Sequence, residues 1–150
     1  MSLISIEELE RLTREKLPFA RISKFRTEEL KSGRAIVRAP YSNEFLRPGG
    51  TISGPIMMGL ADFAMYAAVL TRVGIVELAL TTNLNINFLH RPQPGDLLAK
   101  ARLIKLGKHL AVGQVEVYVD GHEDMVAHVT ATYSLPPALS RREEKGQIRR

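Results

Sequence analysis

The sequence predicts an α+β domain in which an antiparallel sheet of about five to six strands wraps around one long central helix. Residues 54–70 are apolar on nearly every side of a helix and carry a single charge, Asp62. A helix without a polar face has to be enclosed by other structure. From residue 82 onward the hydrophobic period changes from helical to alternating, so each later segment offers one apolar face. The turns between those segments are short, which makes strands close in sequence antiparallel neighbours.

The elements follow in order. Ser5-Ile6-Glu7-Glu8 is a capping box, in which the Ser accepts from the third helical N–H and Glu8 reaches back. Ile6, Leu9, Leu12 and Leu17 recur near helical spacing, so residues 6–16 read as an amphipathic helix ending before Pro18. Segments 19–27 and 34–40 read as two strands joined around Lys31-Ser32-Gly33, and 40–50 as a loop rich in Pro, Gly and polar residues. Gly54-Pro55 opens the central helix, which ends near Arg72-Val73-Gly74. In 82–88 the even positions from Leu84 onward are apolar and Asn83, Asn85 and Asn87 occupy odd ones, the pattern of a half-buried strand. Strands at 97–106, 110–119 and 125–135 form an antiparallel meander broken by Gly107-Lys108 and by 120–124. Residues 1–17 are thus expected to pack as a helix on a single domain of 18–136, with 137–150 a flexible charged tail.

Composition narrows the function. The chain has 150 residues, 45% of them hydrophobic and 25% charged, the balance of one globular domain. Cysteine is absent, which excludes disulfides, thiolate metal sites and a Cys nucleophile. His90, His109, His122 and His128 lack ligand spacing with carboxylates, so no metal site is expected. Of the net charge of +5, the segment 140–150 carries +3, which leaves the body nearly neutral and without a basic stripe for nucleic acid. The run 54–70 is shorter than the roughly 20 apolar residues of a membrane span and contains Asp62, so no membrane association is expected. The N-terminus lacks the basic start and apolar core of a secretory signal, and a cytoplasmic location is the default.

Asp62 is the only charged residue between Arg47 and Arg72. A lone carboxylate in an apolar helix is costly unless the site is wet or the group has a buried partner. The Gly-rich approach Arg47-Pro48-Gly49-Gly50-Thr51-Ile52-Ser53 favours a functional site. First-turn N–H groups, that of Gly54 among them, point outward at the positive end of the helix dipole and suit a carbonyl oxygen that gains charge during acyl transfer. A carboxylate further down the helix can act as base or nucleophile. Eight residues on one helix separate the two groups by about 12 Å, beyond the roughly 3–3.5 Å of a reacting pair. If both act on one substrate, they come from different subunits.

Gly54-x-x-x-x-x-Leu60-x-Asp62 at a helix start, followed by Thr81-x-x-Leu84-x-Ile86-x-Phe88, resembles the hotdog-fold acyl-CoA thioesterases, and most closely their phenylacetate-pathway (PaaI-like) branch. The resemblance covers roughly residues 20–135. It implies a hotdog fold, hydrolysis of an acyl-CoA thioester, no cofactor beyond the coenzyme A of the substrate, and a homodimer or dimer of dimers with sites at the subunit interface. It also implies roles: Gly54 N–H polarises the carbonyl, Asp62 is the catalytic carboxylate, and Thr81 positions water or the carboxylate. Two positions depart from the family pattern. Ser53-Gly54-Pro55 replaces a His-Gly-Gly, and Arg47 stands where many members have an Asn, an amide that Asn43 would supply only if the loop folds back. Arg47 and Ser53 are expected to touch substrate, as are Met58 and Tyr66 among the apolar residues of the helix. Arg91 and Lys108, with Lys105, are candidates for the coenzyme A phosphates. A non-catalytic acyl-CoA binder on the same fold is the alternative reading, and a hydratase is disfavoured because no His precedes the helix.

Overall fold

The computed structural model describes residues 1–137, so the tail expected at 137–150 lies outside the described residues except for Pro137. The helix α1 (Ile6–Lys16) is capped as expected, with Ser5 accepting from Glu8 N–H and Glu8 accepting from Ser5 N–H. One expected element is different. Residues 19–27 are not one strand: Pro18–Ile22 form a short helix, α2, and strand β1 begins only at Arg26 and runs to Lys31. Pro18 stands in the first turn of α2, where its fixed φ is helical and its missing N–H costs nothing. Lys24, at φ 60°, then turns the chain into β1. Five apolar-rich residues fit either period, and packing on the central helix decides.

Strand β2 (Arg34–Ala39) pairs with β1 across Gly33, whose φ of 74° suits a residue without a side chain. The central helix α3 spans Gly54–Val73. Four strands follow, β3 (Leu80–Phe88), β4 (Leu97–Leu106), β5 (Leu110–Val119) and β6 (Met125–Ser134), and all pairings are antiparallel. The sheet order is β1-β2-β4-β5-β6-β3. Strands β4 to β6 form the expected meander, whereas β3 joins the far edge beside β6 rather than next to β4.

The inner face of the sheet closes on α3, where Leu60, Ala64, Met65, Ala68, Val69 and Leu70 are buried against Val37, Ala99, Val115, Val117 and Val129. α3 ends where expected and, at 20 residues, extends past the apolar run 54–70, so it meets the length and composition of a membrane span. It is instead a buried core helix. Buried Thr71 fastens its end: Oγ1 donates to Ala68 O (2.6 Å) and accepts from Gly33 N–H (2.8 Å), tying the helix to the β1–β2 turn.

Candidate active site

The start of α3 is set by a tight loop. Leu46 and Ile52 bridge across it, Arg47 N–H donates to Thr51 O (2.9 Å), and Gly50 N–H donates to Arg47 O (3.0 Å). Gly49 and Gly50, at φ 94° and 78°, supply the left-handed backbone this turn requires. Ser53 N–H donates to Phe45 O (2.7 Å), and the Ser53 side chain does not cap the helix. The Gly54 N–H has no acceptor inside its own helix. A Cβ at Gly54 would meet the ring of Phe88 at 3.1 Å, so a glycine keeps this helix end in close contact with β3. Gly54 opens into a cavity of about 540 Å³ lined also by Arg47, Met57, Phe88, His90 and Arg91.

Asp62 lies two turns further along and is half-buried. Two hydroxyls converge on its Oδ1. Thr81 Oγ1 donates at 2.5 Å and Tyr133 Oη at 2.6 Å, the latter also 2.8 Å from the Asp62 carbonyl. Neither bond involves Oδ2. The sheet register brings the two donors together, because Thr81 on β3 lies directly opposite Tyr133 on β6. A bulge between Thr81 and Asn83 is decisive here. Strict alternation would send Thr81 to the face of Asn83, Asn85 and Asn87. The extra residue turns it to the face of Leu84 and Ile86, whose partners Ala131 and Val129 are buried with Tyr133. Burial, then the neighbouring Asp62 charge, push the Tyr133 phenol far above its ordinary range, so it remains an O–H donor. Asp62, Thr81, Tyr133 and Tyr66 line a second cavity of about 420 Å³.

The expected site residues therefore fall into two groups. Asp62, Thr81 and Tyr66 share the second cavity; Gly54, Arg47 and Arg91 share the first, with Ser53 just before it. Met58 and Lys108 line neither cavity: Met58 is on the exposed side of α3, where Met57 takes the inward place, and Lys108 is in the β4–β5 turn. Asn43 also lies outside both and accepts a hydrogen bond from Tyr41 Oη (2.8 Å). Sequence reasoning missed Tyr133. A Tyr at an inward position of a strand otherwise filled by Val and Ala needs a partner for its hydroxyl, and that was the available signal. Among the described residues no three metal-ligating side chains cluster.

An antiparallel sheet closed around one long helix agrees with comparison to known proteins. The model of the thioesterase superfamily matches residues 49–126, more than half of the chain. The chain belongs to the thioesterase superfamily. A candidate thioesterase from Silicibacter sp. TM1040 is 40% identical and superposes with a TM-score of 0.83 over 91% of this chain and 95% of that one. The phenylacetic acid degradation protein PaaI from Thermus thermophilus, solved as a point variant, is 26% identical, with a TM-score of 0.70 over 79% of this chain and 99% of that one. A candidate esterase of Saccharolobus solfataricus is 33% identical over 87 residues, 58% of this chain and 61% of that protein. The fold is the hotdog fold of this superfamily, and the chemistry of the family is thioester hydrolysis.

Proposed function

We propose that the chain is an acyl-CoA thioesterase whose site is shared between two subunits. The observation that carries this reading is the separation of Gly54 and Asp62 into two different cavities of one chain. Their axial distance of about 12 Å keeps them from one carbonyl within a subunit. The edge strand β3 supports a second copy. Among the described residues it pairs only with β6, and its exposed side chains include the Asn83, Asn85 and Asn87 row with Leu80 and Phe88. An open edge of this kind is suited to pairing with another chain.

In the proposed reaction the thioester carbonyl sits on Gly54 N–H of one subunit, where the N–H and the helix dipole stabilise the oxyanion. Asp62 of the other subunit approaches through Oδ2, because Thr81 and Tyr133 occupy Oδ1. As a base, it takes a proton from water while the hydroxide adds to the carbonyl, and the tetrahedral intermediate expels the thiolate, which Asp62 then protonates. As a nucleophile, it forms an acyl-enzyme anhydride with release of the thiolate, and water hydrolyses the anhydride. Arg47 and Arg91, beside His90 in the Gly54 cavity, offer positive charge to the phosphates of coenzyme A. The reading needs no further cofactor, metal, nucleic acid or membrane, and suits a cytoplasmic protein.

The test is Asp62→Asn in a thiol-release assay. Turnover should fall by about 10³-fold or more, while sedimentation shows the oligomer intact. Wild-type turnover would sink the mechanism. A second reading, an acyl-CoA binder without hydrolysis, draws on Arg47 in the Gly54 cavity, where many members of the resembled family have an Asn, and on Ser53 in place of their His. It predicts saturable acyl-CoA binding with no thiol released by the wild-type protein.

A further inference from the structure

The two cavities differ in charge, and that difference bears on which acyl group is hydrolysed. The Asp62 cavity has mainly apolar walls: Leu17, Phe19 and Ala20 from the α1–α2 corner, Phe63 from α3, and Ala79 and Leu80 leading into β3. Its two charged residues, Asp62 and Glu77, are both acids, and among the described residues no Lys, Arg or His lines it. Lys16 pairs with Glu77 at 3.7 Å but is exposed and outside the lining. The Gly54 cavity carries Arg47, Arg91 and His90.

Resting on the two-subunit thioesterase reading above, we propose that the acyl group occupies the Asp62 cavity and that the enzyme selects an uncharged, apolar acyl group, rejecting one that ends in a carboxylate. An apolar chain gains from leaving water for these walls. A terminal carboxylate would leave water for a wall that holds no cation among the described residues and would face Asp62, while Glu77, paired with Lys16 at the rim, offers it no net positive charge. The aromatic part of the wall is held in place by its neighbours. Phe19 presses on Gly59, where a Cβ would lie 2.4 Å from the ring, and meets Phe25 edge-on at 5.8 Å. Phe25 in turn packs on Phe63 at 5.8 Å. The cavity volume, about 420 Å³, lies within the roughly 300–1,000 Å³ of small-ligand pockets.

The experiment compares hexanoyl-CoA with adipoyl-CoA, which have the same carbon count and differ by one terminal carboxylate. The wild-type protein should show kcat/KM at least about tenfold higher for hexanoyl-CoA, the cost of bringing an unpaired charge into the cavity. Glu77→Lys, which gives the rim a cation, should raise the adipoyl-to-hexanoyl ratio several-fold. Equal or better hydrolysis of adipoyl-CoA by the wild-type protein overturns the inference, and an unchanged ratio in E77K overturns the part assigned to the acidic lining. If these fail while Asp62→Asn still abolishes turnover, the thioesterase reading survives alone. If no acyl-CoA is hydrolysed at all, both are overturned.

Discussion

Oδ1 of Asp62 accepts from two hydroxyls, and this one-sided loading is the feature that most constrains how the carboxylate acts. Two O–H donors at 2.5 and 2.6 Å hold its rotamer and leave Oδ2, the oxygen the proposed reaction uses, outside both bonds. Tyr133→Phe keeps the ring packing against Tyr66 and removes one donor. If Tyr133 positions Asp62, kcat should fall by about tenfold with KM changed less than about twofold, since a misplaced group costs the transition state more than binding. In an Asp62→Asn background the same substitution should add almost nothing, and a full additional loss would show that Tyr133 acts elsewhere. Asp62 and Thr81 were candidates in the sequence, the first as a lone charge in an apolar run and the second through the family resemblance. Tyr133 was not, because its link to Asp62 spans 71 residues and is made by strand register alone.

At the scale of elements, close approach of α3 to the sheet depends on residues that sequence patterns do not single out. Gly113 on β5 lies under Met65: a Cβ there would come within 2.6 Å of the Met65 sulfur and 2.8 Å of the Arg102 carbonyl oxygen. The Met side chain can move, but the carbonyl belongs to the neighbouring strand β4 and cannot. Gly113→Ala should therefore destabilise the fold by about 1–3 kcal/mol, the range of overpacking, read as a lower urea midpoint at constant slope. A midpoint equal to wild type would mean that the sheet yields there. The corner α2 shows the converse limit. Its five residues carry too little periodicity to distinguish helix from strand, and only the contact of Phe19 with Gly59 reveals that they wall the Asp62 cavity.

For the whole molecule, two cavities on one chain and the proposed sharing of one site between chains make a prediction that no single-chain substitution can test. Mixing Asp62→Asn subunits with Gly54→Val subunits, each inactive alone, should form mixed dimers with one intact site. Random exchange then restores about a quarter of wild-type activity in a twofold-symmetric dimer. Activity that stays at background after verified exchange would place Gly54 and Asp62 of the same chain in one site. The bulky residue at position 54 would also displace Phe88.

Thr81 was marked only by the family resemblance, whereas the sequence by itself determined the order of the major elements, the enclosed central helix and the candidates Gly54 and Asp62. These follow from local capping, from hydrophobic period and from the isolation of one charge, all of which act over a few residues. The tertiary structure alone decided what surrounds them. It placed β3 beside β6 rather than β4, used a bulge to turn Thr81 toward the helix, and supplied Tyr133 from the opposite strand. It also set the acidic, apolar cavity of Asp62 apart from the basic one of Gly54. Such features depend on pairing between distant segments, and pairing is fixed only when the sheet closes on the buried face of α3.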